Sequence, residues 1–374
     1  MHSKININKI AGYFNNPSGK LTLGIHSCIE EVWEILSVRK SDDDYVIYTK
    51  MRDFAQDVLD CGEGGYSNEI VLKRRSYGGF VTNTGKAVGR LGADLVLIGL
   101  FGTNSIDPVF KEFQDSHTLL SVGAPTGGAT YEFSDGKIML PHIENIIDFN
   151  WDSLTNALPW DKLKKAFTEA DIIALGYWSL MPAFDEILQK ICEHFIEGGR
   201  CKRFFFDFAD IRKRDNASLK NTMEKLTVIN KKIPITLSLN EHEAELLFTG
   251  LGERFGHDQA IAESTIGNVR EKTGLDEIVV HTPRFAAVSS YSEGIAVVPQ
   301  RYCENPVRTT GAGDNFNGGY MVASVRTGDL NIHERLFAGN ATTGFYVRNG
   351  YPPDISELIQ EMNDVEGFFS GTTD

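Results

Sequence analysis

The chain has 374 residues, 41% of them hydrophobic and 24% charged, enough for one large α/β domain or one domain with a small appendage. Its 51 acidic against 37 basic residues give a formal charge of −14, a balance that repels phosphate backbones and argues against nucleic-acid binding. No apolar run reaches the length a bilayer demands, and the opening MHSKININKIAGYF has no signal-peptide core, so no membrane partner is expected.

Along the chain, apolar runs of strand length alternate with longer amphipathic stretches, the pattern of βα units on a largely parallel sheet. KLTLGIH (20–26), LVLIGLF (95–101), DIIALGY (171–177), RFFFDF (203–208), PITLSL (234–239) and EIVVHT (277–282) read as strands apolar on both faces, covered by helices on each side. DEILQKICEHFIEGG (185–199) and AIAESTIGNVREKTG (260–274) read as helices closed by glycine. Two regions depart from this rhythm. DYVIYTK (44–50) and EIVLKRR (69–75) flank a helical MRDFAQDVLDCG, and ATYEFSDGKIML (129–140) alternates around Ser-Asp-Gly as a hairpin does. We expect these segments, about 41–76 and 127–146, to form a small β-rich lid on a single domain spanning 1–374. AAVSSYSEGIAVVPQ (286–300) is a second hairpin at the sheet edge, and FFSGTTD at the end reads as a frayed tail. The short basic run LKRR (72–75) suits a solvated edge. Five cysteines lack any C-x-x-C spacing and read as reduced thiols of a cytoplasmic protein, with no zinc site or disulfide framework.

RTTGAGDNFNGGY (308–320) carries the chemistry. Unpaired N–H groups and the positive end of the macrodipole meet at a helix N-terminus, and glycine there lets a phosphate approach the backbone. Gly311, Ala312 and Gly313 therefore read as an anion hole, with Asp314 in the first turn facing the same space. A carboxylate beside such a hole is repulsive unless it has a task, and the task is to orient and deprotonate a hydroxyl attacking phosphorus. A tight turn with Asp314 as a cap is the alternative for this motif alone. Two other glycine-rich segments fail as phosphate sites. GGFVTNTGKA (78–87) has five residues, not four, between Gly79 and Gly85, with Ala87 where a magnesium-binding hydroxyl belongs, and Gly62, Gly64 and Gly65 follow no clear strand.

With GGFVTNTGKAVGRLGADLVLIGLFG (78–102), LSLNEHEAELLF (237–248), TTGAGDNFNGGY and FAGNATTGFYVRNG (337–350) in that order, the chain resembles the ribokinase-like (PfkB-type) carbohydrate kinase superfamily over most of its length. The resemblance implies a three-layer α/β/α sandwich with a mainly parallel central sheet, a β-rich lid, and phosphoryl transfer from a nucleotide to a hydroxyl of a sugar-like substrate. Asp314 would be the base, with Gly311, Ala312 and Gly313 holding the transferring group. Asn240 and Glu243, the N-x-x-E pair at a strand exit, would organise the donor and Mg2+, Glu243 through water. The same two residues also suit a helix capping box. Thr282, Thr309 and Asn340 would complete the nucleotide site. His26, Glu30, Gly78, Gly79, Asn83 and Arg212 would line the acceptor site.

The chain also departs from the family. Glu30 stands roughly where the first strand normally brings an aspartate, and Phe80 replaces the asparagine after Gly-Gly, adding an apolar wall that could stack on a base. DFADIR (207–212) keeps Asp207 and Arg212 of a D-x-N-x-R pattern but has Ala209 between them. The segment before Gly-Gly and the His281-Thr282 pair are similar to the ADP-dependent glucokinases and phosphofructokinases of the superfamily, although GAGD is commoner in the ATP-using branch. ATP is the expected donor and ADP the alternative. A nucleoside kinase and a non-catalytic sugar or nucleotide sensor are the rival readings. An exposed lid strand could pair with a second subunit as a homodimer.

Overall fold

A computed structural model describes residues 4–16, 19–256, 258–326 and 328–370. Among these residues, fourteen strands occur in two sheets. In chain order they are β1 (Lys20–Ile25), β2 (Cys28–Arg39), β3 (Tyr45–Ile47), β4 (Ile70–Gly78), β5 (Asp94–Gly99), β6 (Thr118–Ser121), β7 (Thr126–Phe133), β8 (Gly136–His142), β9 (Ile172–Gly176), β10 (Arg203–Asp207), β11 (Ile235–Asn240), β12 (Glu277–His281), β13 (Phe285–Ser290) and β14 (Gly294–Pro299). Nine of them form the main sheet in the order β14-β13-β12-β11-β10-β9-β1-β5-β6. Pairings from β12 through β6 are parallel, and the β13–β14 hairpin closes one edge antiparallel.

The strands are buried on both faces because helices cover both. In β10, Phe204 and Phe206 enter one core while Phe205 enters the other, as the two-residue period of a strand requires. Helices Phe80–Arg90, Ala312–Ser324 and Ile332–Asn349 pack on the Phe205 side, and Phe184–Phe195, Glu241–Gly250 and Gln259–Thr273 on the other. This is the three-layer ribokinase-like sandwich expected from the motifs. Gly274 closes its helix at φ 67, a left-handed conformation that glycine adopts without a Cβ clash. Helix Phe184–Phe195 instead ends before its glycines.

The second sheet holds β3, β2, β7 and β8 in sequence, with β4 also paired to β2. Its longest strand, β2, lies outside the segments 41–76 and 127–146 expected to make the lid. Its buried positions Ile29, Val32, Ile35 and Leu36 follow a spacing closer to a helix than a strand, because the register shifts at Val32/Trp33 and Leu36/Val38. Helix Met51–Asp60 stands at the far end of this sheet, its first amides taken by the Asp135 carboxylate of the β7–β8 turn. At the C-terminus, Phe368 and Phe369 belong to helix Ile355–Ser370 instead of a frayed tail, and the rest of that segment, 371–374, lies outside the described residues. Among the described residues no helix is long and apolar enough to cross a membrane.

The helices that bear chemistry meet at the carboxyl edge of the main sheet. Strand order reverses about β1, with β5 and β6 added on one side and β9 onward on the other, and open α/β sheets bind ligands outside such a reversal.

Candidate active site

Gly311 turns the chain into helix Ala312–Ser324 at φ 86, a conformation unstrained only for glycine. Helix Ile332–Asn349 braces this turn. Tyr346 Oη donates to the Thr310 carbonyl at 2.5 Å, and Thr343 Oγ1 donates to the Ala312 carbonyl at 2.8 Å. Among the described residues the amides of Gly311 and Gly313 meet no acceptor, and both residues line a cleft of about 840 Å³. Ala312 departs from the expected three-amide hole, since its N–H donates to the Thr309 carbonyl at 3.0 Å. A tight turn thus coexists here with two amides left free for an acceptor.

Asp314 is buried at the floor of the cleft, on its first helical turn. Asn83 Nδ2 donates to Oδ2 at 3.0 Å, and Thr84 Oγ1 to Oδ1 at 3.3 Å, both from helix Phe80–Arg90. Burial foremost, then the charge of Asp207, holds its carboxyl well above the usual carboxylate range, against the pull of those two hydrogen bonds. Asp207 was noticed in the sequence only as part of a degraded pattern, yet it shares this space. It sits at the end of β10, accepting from the Ala209 amide at 2.8 Å and from Asn317 Nδ2 at 2.7 Å. Burial raises its pKa too.

Asn240 and Glu243 form a reciprocal capping box at helix Glu241–Gly250. The Asn240 side chain accepts from the Glu243 amide, and Glu243 Oε2 from the Asn240 amide, each at 3.0 Å. The box leaves Glu243 Oε1 buried without a partner. Burial, then the charge of Asp207, pushes this carboxyl well up. No group of three or more His, Cys, Asp or Glu able to hold a metal occurs among the described residues. An orphaned, buried carboxylate oxygen beside a second carboxylate still fits a hydrated divalent cation, whose charge would relieve both.

Of the residues expected at the acceptor, His26, Glu30, Gly78 and Gly79 lie together where β2, β4 and β7 meet the main body. Glu30 on β2 is half-buried against Gly78, where an added Cβ would fall 2.5 Å from Oε1. At Gly79, with φ 93, it would fall 2.7 Å from His26 Nδ1. His26 is correspondingly sealed in. Its ring stacks on Tyr177 at 4.7 Å, its Nε2 lies 3.2 Å from Thr126 Oγ1, and burial lowers its pKa to about 4, so it is a floor residue and not an open contact. Phe80 is no wall of the site either. It is fully buried, packed so closely on Gly176 that a Cβ there would collide with the ring. Tyr177, held at φ 65, lines the cleft instead, as does Tyr302.

Other expected contacts have different occupations. The Thr282 hydroxyl donates to the Phe285 carbonyl and accepts from the Arg284 and Phe285 amides, closing the β12–β13 turn at the cleft rim. Asn340 lies off the cleft, donating to the Val298 and Pro299 carbonyls and tying its helix to β14, whereas Thr343 and Val347 of that helix do line it. Thr309 lines the cleft through the turn that binds Ala312. Arg212 lines the cleft with its guanidinium already paired, Nε donating to Asp210 Oδ1 at 2.7 Å. His281, a buried ring packed on Phe316 at 4.8 Å, also reaches the cleft beside Gly313.

Comparison with solved structures places the fold. A ribokinase of Arabidopsis thaliana complexed with ribose and ATP superposes with a TM-score of 0.64 at 17% identity, covering 92% of this chain and 99% of that one. A mutant phosphofructokinase-2 from Escherichia coli does so with 0.62 at 14% identity, covering 93% and 99%. Among curated proteins, a ketohexokinase of Haloferax volcanii is 28% identical over 349 residues, 91% of this chain and 90% of that one. Fold and sequence together define a carbohydrate kinase of the ribokinase-like, PfkB-type superfamily, acting on a small-molecule sugar. Within it, residues 13–365 match the family model for prokaryotic ketohexokinase, and the chain belongs to that family. The sensor reading gives way to this membership, and the burial of Phe80 removes the base-stacking argument for a nucleoside acceptor.

Proposed function

We propose that this kinase transfers the terminal phosphoryl group of ATP to a hydroxyl of a ketohexose. The observation that carries the reading is Asp314 seated in the helix mouth, gripped by Asn83 and Thr84 beside the unpartnered amides of Gly311 and Gly313. A ketohexokinase relative supports the acceptor class, and a neighbour bound to ribose and ATP supports the donor.

The acceptor oxygen forms a bond to phosphorus as the bond to the leaving ADP oxygen breaks, and Asp314 takes the hydroxyl proton. In a loose transition state the base chiefly aligns the hydroxyl, and positioning does most of the work. The amides of Gly311 and Gly313 and the helix dipole hold the charge spread over the transferring oxygens. Glu243 Oε1 would hold Mg2+ through water, with Asp207 nearby, and the ion when bound neutralises the donor phosphates. The second sheet acts as the lid that excludes water from the acceptor, and its exposed Val38 and Leu140, with Leu59 of helix Met51–Asp60, favour pairing with a second copy of the chain. A cytoplasmic location suits a nucleotide-driven kinase.

A coupled assay of donor consumption tests the reading, with ATP and ADP crossed against ketohexoses, aldohexoses, pentoses and nucleosides. ATP with a ketohexose should give the highest kcat/KM. Preference for ADP, or for another acceptor, would replace the corresponding half of the proposal.

A further inference from the structure

Four neighbouring strands of the main sheet each bring one side chain to the cleft at their carboxyl ends. Tyr177 follows β9, Asp207 ends β10, Asn240 ends β11 and His281 ends β12, and all four line the cleft. Gly176 pairs with Asp207 and Asn240 with His281, so at about 4.8 Å per strand the row runs about 14 Å from Tyr177 to His281. The two ends of the row differ. Asn240 and His281 stand with Glu243 and Gly313, the side proposed for the donor phosphates and the metal. Tyr177 stands at the other end, beyond Asp207, where β9 pairs with β1 and β1 leads to His26.

Tyr177 is held in this place against its own preference. Among the described residues only Tyr177 and Ala209 have a positive φ without being glycine, and both line the cleft. Left-handed backbone strains a bulky residue, so its surroundings must fix it. The Tyr177 amide donates to the Asp207 carbonyl at 3.1 Å, and the Tyr177 carbonyl accepts from the Leu180 amide at 3.1 Å. His26 covers one face of the ring, stacked at 4.7 Å with 11° between the planes, and is itself held against Thr126 and Gly79. The hydroxyl, by contrast, bonds no described residue, and unlike His26 Nδ1 it is not sealed from solvent. A half-buried phenol ordinarily has a partner, and this one belongs to a side chain sharing a cleft with Asp314. Tyr302 also lines the cleft, but beyond the opposite end of the row, under the Arg284 guanidinium of the β12–β13 turn at 4.4 Å.

We propose that Tyr177 is a specificity-determining residue of the acceptor site, its ring, backed by His26, packing on a C–H face of the sugar while its hydroxyl bonds one sugar hydroxyl. A sugar is apolar on its C–H faces and polar at its rim, and a tyrosine offers an apolar body with a polar tip that both gives and takes a hydrogen bond. This inference rests on the reading of the chain as a sugar kinase.

Steady-state kinetics of two variants test it. Tyr177→Phe keeps the ring and the backbone bonds, so its thermal midpoint should match the wild type while KM for the sugar rises about 3- to 10-fold and KM for the donor stays within about twofold. Tyr177→Leu removes the ring and should raise the sugar KM by at least about tenfold. Monodeoxy analogues of the best neutral sugar then identify the partner. One of them should lose at least about fivefold in kcat/KM on the wild type and at most about twofold on Tyr177→Phe, the non-additivity of a pair in contact. An unchanged sugar KM in Tyr177→Phe, a shift confined to the donor KM, or deoxy losses equal in the two enzymes overturns the assignment, and Tyr177→Phe decides alone if Tyr177→Leu folds poorly. If the best sugar is not a ketohexose, the proposed acceptor class falls, and the same comparisons decide the role of Tyr177 on the sugar that is used.

Discussion

Replacing Asp314 with Asn is expected to slow catalysis by orders of magnitude and, at the same time, to stabilise the free enzyme. The carboxyl is 7% exposed and lies near Asp207 and Glu30, so burial and neighbouring charge disfavour its ionised form. The amide keeps the shape, because its oxygen can accept from Asn83 Nδ2 while its nitrogen donates to Thr84 Oγ1. Every tenfold weakening of the acid costs the ionised form about 1.4 kcal/mol. With about 2 cal/mol/K of unfolding entropy per residue, a chain of this length converts that to about 2 °C in Tm. The folded carboxyl keeps its proton to higher pH than the unfolded one. Its stabilising contribution is therefore complete below about pH 4 and lost as pH rises through the folded pKa. The advantage of the variant grows in the same direction. Scanning fluorimetry without nucleotide or metal should show a gap of at least about 2 °C at pH 8.5, wider than at pH 5. A coupled assay should show turnover lower by about 10²- to 10⁴-fold. A gap that narrows with rising pH, or turnover within tenfold of the wild type, would refute the reasoning.

Gly313→Ala places a methyl 3.0 Å from His281 Cε1 and in front of an unpartnered amide, so kcat/KM for the donor should fall by about 10- to 100-fold while Tm holds or rises, alanine being the better helix former. Steady-state kinetics with varied ATP checks this, and unchanged donor kinetics would remove Gly313 from the phosphate site. Asn83→Ala deletes a bond that lowers the pKa of Asp314, so the acid limb of the kcat/KM profile should move to higher pH, and an unmoved limb would mean that Asp314 is not the titrating base. Glu243→Gln should raise the Mg2+ concentration needed for half-maximal rate by about 10- to 100-fold at saturating ATP, and equal metal demand would confine Glu243 to its capping box.

The main sheet was legible because its strands are buried on both faces and so appear as short, uninterrupted apolar runs. β2 was not. Two register shifts give CIEEVWEILSVR a spacing of buried positions closer to a helix than to the strand it forms. The helix mouth could be found because the turn, the amides and the carboxylate are contiguous from Gly311 to Asp314. Asp207 was harder to weigh, since its importance comes from Asn317 and Asp314, more than a hundred positions away. Side-chain direction was beyond reach for Thr282, Asn340 and Phe80. Each lies in a segment that touches the site, but turn closure, helix docking and core packing claim the side chains themselves.

The attachment of the second sheet sets how it can move. Cys28 pairs with Gly78 on one side and Thr126 on the other, so β2, β4 and β7 all meet the main body along a single row. At about 3.3 Å per residue, Glu30 stands about 7 Å beyond that row and Arg39 about 36 Å. The sheet is a lever pivoted beside Glu30: a swing of about 10° carries the tip about 6 Å and Glu30 only about 1 Å. Sequence change that tilts the sheet therefore displaces its outer end several times further than Glu30.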